Sequence, residues 1–70
     1  MKWKMLNNNE FIAEPQDGHE IRVMKSNLGW IWAIISHNSI VDHAMYHRPS
    51  KGGELGAKVQ AEKIYNSLNL

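Results

Sequence analysis

The residues of this sequence best suited to bind a metal ion are three histidines near its middle. His43 and His47 are four positions apart, and His37 lies six positions before His43. On a helix, imidazoles at that four-residue spacing face one ion, whereas on a strand they would stand about 13 Å apart. Ala44 stands where the helix of a zinc protease carries glutamate, and the chain has no cysteine. We therefore expect no metal or other cofactor, with the three histidines as the alternative metal site.

The carboxylates and hydroxyls show no spacing that would assemble an active site. The seven acidic residues are scattered over turns and element ends, and serines near histidines define a nucleophile only through geometry. So short a chain also leaves little volume for a closed pocket beside its own core. The pair Gly52-Gly53 precedes a helical pattern but belongs to neither glycine-rich phosphate-binding motif. The prediction is a protein without catalytic residues, not an enzyme.

The charge of the chain disfavours partners that are recognised through electrostatics alone. Eight basic and seven acidic side chains give a formal net charge of +1. A protein that binds nucleic acid mainly through phosphates carries a basic excess, and a DNA mimic carries an acidic one. Nucleic acid remains a possible partner, because the scattered lysines and arginines and the tryptophans could contact DNA from a sheet.

Length and composition predict one small cytoplasmic domain. Seventy residues without cysteine form a single core with no disulfide framework, as expected in a reducing cytosol. No apolar run follows the first lysines as in a signal peptide, and no stretch reaches the roughly 18 apolar residues of a membrane span. We expect no membrane partner.

The first two thirds of the chain are rich in strand patterns. The centre is a predicted hairpin, in which Trp30–Ser36 is apolar on both faces and is followed by a turn around Asn38. Other predicted strands precede and follow it. Each is a short apolar run, or a run in which apolar and polar residues alternate, and each is bounded by turn residues. These predicted segments are 1–6, 10–14, 20–25 and 40–47.

Two interpretations of residues 40–47 are open. A strand is indicated because the segment is short and follows a hairpin signal. As a helix, it could be capped by Ser39 with Asp42 three positions on. We favour the strand.

The last third predicts a helix after a flexible connection at residues 48–53. Proline and two glycines in that connection stop a helix from running through it. In the predicted helix, residues 54–68, a stripe of four apolar residues at helical spacing would pack on the sheet, with Leu55 and Val59 on the opposite side. The stripe is Ala57, Ala61, Ile64 and Leu68.

These elements predict one α+β domain, 1–70: a three- to four-stranded antiparallel sheet (about 1–47), the connection 48–53 and one C-terminal helix packed on one face. A single helix covers one face of a sheet, and Ile31, Ala33 and Ile35 would then lie on the other. The predicted core is Trp3, Phe11, Ile21, Val23, Trp30, Trp32, Ile34, Ala57, Ala61, Ile64 and Leu68.

The order Trp-Ala-Ile in one strand, Ile-Val in the next and then a helix with Ala57, Ala61, Ile64 and Tyr65 resembles the AP2-like DNA-binding domains of plant regulators, phage integrases and homing endonucleases. That resemblance implies a helix packed on a sheet whose open face contacts DNA. The chain is also similar to short phage and prophage proteins that begin Met-Lys-Trp and end in an Ala-rich helix.

The surplus of apolar sheet surface predicts a protein that works by binding another molecule. We expect a non-enzymatic interaction protein, encoded by a phage or mobile element, that binds a host protein complex as accessory factor or inhibitor, for example as an anti-CRISPR protein. A homodimer is a further possible assembly, and an AP2-like DNA-binding module is the alternative function. The predicted partner-binding residues are Arg22, Lys25, Arg48, Lys51, Leu55 and Val59.

Overall fold

The computed structural model describes all 70 residues as one antiparallel sheet with a C-terminal helix. The elements are β1 (Trp3–Asn7), β2 (Glu10–Gln16), β3 (His19–Ser26), β4 (Gly29–Ser36), β5 (Ser39–His43), a 3₁₀ helix (Ala44–Tyr46) and α1 (Gly53–Leu68). The predicted α+β class is confirmed. The prediction of three to four strands was wrong, because all five strand-like segments pair, each with its neighbour in sequence.

Tight turns hold this meander in register. The turn between β4 and β5 places His37 and Asn38 in the left-handed region, with φ of 48° and 67°. Two successive left-handed residues form the mirror-image turn whose twist matches the strands of a hairpin. The turn between β2 and β3 brings Gly18, with φ of 79°, directly beneath the His37 ring. The two turns therefore lie side by side at one end of the sheet.

The helix packs over the centre of the sheet on one face. Alternation along β3 and β4 turns Ile21, Val23, Trp32 and Ile34 to that face, where they meet Ala57 and Ala61 in a fully buried cluster. The two small alanines let the helix axis approach the strands closely. The remaining predicted core residues surround this cluster and are half-buried: Trp3, Phe11, Trp30, Ile64 and Leu68. Ile12 and Ala13 of β2 are also buried, and the predicted core omitted both.

Polar side chains of α1 satisfy the indole N–H groups at the borders of the core. Trp32 Nε1 donates to Gln60 Oε1 at 2.8 Å, and Trp3 Nε1 donates to Glu62 Oε1 at 2.6 Å. Lys58 Nζ stands 3.8 Å from the centroid of the Phe11 ring, in a cation–π contact. The helix thus attaches to β1, β2 and β4 by directional contacts as well as by apolar packing.

Residues 40–47 correspond fully to neither predicted interpretation. The segment is a strand only as far as His43, whose Nδ1 accepts from the Met45 N–H at 3.2 Å and begins the 3₁₀ helix. Ser39 belongs to β5 and caps no helix, and Asp42 contacts His47 Nε2 at 3.0 Å. The sheet therefore ends at residue 43, earlier than predicted.

The helix begins at Gly53, one residue earlier than predicted, and ends at Leu68 as predicted. Its N-cap, Gly52, is left-handed with φ of 93° and offers no side-chain cap. Neither helix of the fold combines the length and apolar character that crossing a membrane would require.

Candidate protein-interaction surface

The face of the sheet opposite α1 is covered by no element of the chain. The side chains between the core positions of β3 and β4 point to it, and we call this surface the open face. In its central row Arg22 lies between Ile12 on β2 and Ala33 on β4, and Ala33 pairs in turn with His43 on β5. Lys4 on β1 pairs with Ile12 at the other end of this row, so the open face extends over all five strands.

One half of the open face, over β3 to β5, is apolar, and we call it the apolar patch. Its five residues are Met24, Ile31, Ala33, Ile35 and Ile40. The first four are half-buried by their neighbours in the sheet, whereas Ile40 is 63% exposed. The patch spans three strands, spaced about 4.8 Å apart, and five residues along β4, spaced about 3.4 Å apart, so it measures roughly 10 Å across the strands and 14 Å along them. The width across the strands matches the diameter of one helix.

The apolar patch continues at one end into a small apolar pocket. Because β5 pairs with β4 only as far as Ala33, the edge of β4 before that residue borders the 3₁₀ helix instead of a strand. The resulting notch has a volume of about 340 Å³. It is lined mainly by Leu28, Trp30, Ile31, Ala44, Met45, His47 and Pro49. An apolar side chain of a partner that covers the patch could anchor in this pocket.

The other half of the open face is charged. Arg22 forms ion pairs with Glu10 at 3.1 Å and with Glu20 at 3.4 Å. Ile12, only 8% exposed, lies in the same row as Arg22, and Glu14 is two residues further along β2. Two carboxylates therefore stand beside one guanidinium at the border of the apolar patch, whereas Glu14 shares a groove with Lys2 and Lys4 at the edge of the sheet.

A second exposed apolar feature lies on the outer side of α1. Leu55 and Val59 are 69% and 57% exposed and occupy one shallow groove with Lys51 and Lys63. We call these four residues the outer helix stripe. The prediction that Leu55 and Val59 face away from the sheet is confirmed.

The six predicted partner-binding residues do not form one site. Arg22 is on the open face, where it is already paired with two carboxylates. Lys25 is an exposed residue near the end of β3, and alternation places it on the face opposite Arg22. Arg48 lies in the connection, where its carbonyl accepts from Gln60 Nε2. Of the six, only the three residues Lys51, Leu55 and Val59 share a surface.

The three histidines of the alternative metal site have separate surroundings. His37 lies at the tip of the last hairpin, His43 stacks on Tyr46, and His47 stacks on Trp32 while contacting Asp42. Nowhere do three His, Cys, Asp or Glu side chains converge in a way that could hold a metal ion. The observed contacts of His43 and His47 are those of residues that order the chain between β5 and α1.

The residue that sequence reasoning missed is His19. It is only 6% exposed, and its Nδ1 lies 2.8 Å from the Tyr65 hydroxyl and 2.7 Å from Gln16 Nε2. Its ring also meets His37 edge-on, with centroids 5.7 Å apart. Because His19 is two residues before Ile21 on the same strand, the alternation of β3 already placed it on the core face. These contacts fasten the C-terminal part of α1 to the hairpin turns.

Comparison with known proteins identified no relative of this chain. A scan against protein-family models, a search of curated proteins and a search of solved structures each returned no match.

Proposed function

We propose that this protein is a non-enzymatic interaction module that binds a partner protein through the apolar patch. The observation that carries the proposal is a contiguous apolar surface on an uncovered sheet, with an apolar pocket at one end. Exposed patches bordered by polar residues are typical of binding sites, because burying them removes apolar area from water. Such an interface is smaller than the standard size for stable complexes, so we expect transient binding.

The roles of the acidic side chains support a function without catalysis. Of the seven carboxylates, five already bind a partner within the chain. Those five are Glu10, Glu20, Asp42, Glu54 and Glu62. A general acid or base must reach a substrate proton, and a carboxylate held in a structural pair is poorly placed to do so.

The partner we favour is a subunit of a host protein complex, which this protein would assist or inhibit. The small size and the balanced charge support that role, because a module of this kind needs one docking surface and no chemistry of its own. An anti-defence function, including an anti-CRISPR function of a phage-encoded protein, is one specific form of the proposal.

Replacing Ile40 with glutamate tests the apolar patch. Ile40 is 63% exposed, so the fold should tolerate the change, whereas a bound partner would bury an unpaired carboxylate. After chemical cross-linking in a lysate of the source cell, we expect Ile40→Glu to capture the specific partner about tenfold less than the wild type, equivalent to about 1.4 kcal/mol. Quantitative mass spectrometry of the cross-linked species measures the difference.

The matched control is Asn8→Glu, which adds the same charge at the exposed turn between β1 and β2. It should capture the same partner as the wild type. If all three proteins capture the same set in equal amounts, the apolar patch is not the binding site.

Binding of DNA through the open face is the alternative proposal, and the local charges disfavour it. Glu10, Glu14 and Glu20 would repel phosphates, and Arg22 is held by two of these carboxylates. We therefore expect no retardation of duplex DNA in a gel-shift assay at low salt. Retardation that is lost in Arg22→Ala would favour the DNA-binding module instead.

A further inference from the structure

We infer that a second copy of this chain fits the apolar patch, with the outer helix stripe of one molecule docked on the open face of the next. This inference rests on the proposed function, because it identifies an occupant for the same surface. Such a contact joins two different surfaces, so a dimer keeps a free stripe on one molecule and a free patch on the other, and further copies can add to it.

The charges of the two surfaces are complementary. In the outer helix stripe, Lys51 and Lys63 accompany the apolar pair Leu55 and Val59, and no acidic residue lines that groove. At the border of the apolar patch, the two carboxylates of Glu10 and Glu20 outnumber the single guanidinium of Arg22. Docking would therefore bring the lysines near an acidic border, an attraction that guides orientation and weakens as salt is added.

The spacing of the apolar residues also agrees. Side chains four apart on a helix, such as Leu55 and Val59, have Cβ atoms about 5–6 Å apart. Successive residues on one face of β4, such as Ile31, Ala33 and Ile35, are about 6.8 Å apart along the strand. The two residues of the stripe can thus contact successive positions of the patch.

The chain already uses this mode of packing on its other face. There Ala57 and Ala61, also four apart on α1, lie against Trp32 and Ile34 of the same strand β4. The intermolecular contact would repeat this helix-on-sheet arrangement with the opposite sides of both elements. Only two large apolar residues of α1 take part, so the association should be weak and visible only at high protein concentration.

Sedimentation velocity with single-face variants tests the inference. We expect the wild type to show an average mass that rises with concentration, and Val59→Glu and Ile40→Glu each to associate at least about tenfold more weakly, because each buries a carboxylate without a partner. Asn8→Glu should behave as the wild type. Circular dichroism confirms that each variant is folded.

Mixing the two variants gives the decisive result. Val59→Glu retains an intact patch and Ile40→Glu retains an intact stripe, so an equimolar mixture should form a dimer that grows no further. The two altered surfaces both carry an added negative charge and repel each other.

Two outcomes would overturn the inference. One is a wild type that stays monomeric at every concentration. The other is a wild-type association that Val59→Glu leaves intact, because that pattern indicates two sheets packed face to face. In either case, a foreign partner that cross-links to the wild type but not to Ile40→Glu would still support the proposed function. Failure of self-association can therefore be distinguished from failure of the proposed function.

Discussion

Trp32→Ala is expected to leave most of the protein unfolded at 25 °C. Trp32 is 1% exposed at the centre of the core, where it lies beside Val23 across the ladder and stacks on His47. Truncating a buried tryptophan to alanine costs about 3–5 kcal/mol, because the apolar contacts are lost and a cavity remains. A domain of this size buries a smaller fraction of its surface than larger domains and has little stability in reserve.

The loss of the indole has a second effect on the connection before α1. The Trp32 N–H donates to Gln60, whose own amide donates to the Arg48 carbonyl at 2.9 Å. Removing the indole leaves Gln60 Oε1 without its partner, so the connection loses part of its attachment to the core.

Urea titration followed by far-ultraviolet circular dichroism measures the effect. Trp32→Phe serves as an intermediate case, because it retains an aromatic ring but lacks the N–H, and its loss of stability should be smaller. A cooperative transition of Trp32→Ala with the wild-type midpoint would contradict the assigned core.

Gly56→Ala is expected to destabilise the protein although it lies within a helix. Alanine favours an exposed helix by about 1 kcal/mol over glycine. A Cβ at position 56, however, would lie 1.6 Å from the carbonyl oxygen of Lys51 and 2.6 Å from its carbonyl carbon. Because these are backbone atoms, the chain before the helix must move, and overpacking of this kind typically costs about 1–3 kcal/mol.

The expected net result for Gly56→Ala is a lower urea midpoint, with the helix start at Gly52–Gly53 displaced. Asn66→Ala is the control, since Asn66 is an exposed residue near the other end of α1. That control should change stability by less than about 1 kcal/mol, in the stabilising direction set by helix propensity. A Gly56→Ala protein more stable than the wild type would show that the connection does not pack against position 56.

The spacing of apolar residues in β3, β4 and α1 was enough to predict most of the fold. Strict alternation separates Ile21 and Val23 from Arg22, and it separates Trp32 and Ile34 from Ala33. Because successive side chains of a strand point to opposite faces, the order of residues separates the two faces of each strand. For β4, which is apolar on both faces, it does not say which face meets the helix. The helical spacing of Ala57 and Ala61 predicted which side of α1 meets the sheet.

Long-range pairing determined what local patterns could not. Arg22 is twelve residues from Glu10 in the chain, and their ion pair depends on the register between β2 and β3. His19 contacts the hydroxyl of Tyr65, which is 46 residues away. No local propensity encodes such distances, so the charged half of the open face and the polar contacts of His19 emerged only from the tertiary fold.

The end of β5 also shows the difference between what local residue patterns predict and what long-range contacts determine. Residue patterns were enough to predict an apolar hairpin with a turn around Asn38 and a helix after the connection 48–53. The end of β5 at His43 was visible only in the folded chain, where the His43 imidazole begins a 3₁₀ helix and His47 stacks on Trp32. The physical reason is that side-chain periodicity is a local property, whereas the length of a strand and the partners of its polar groups depend on which distant residues the fold brings beside it.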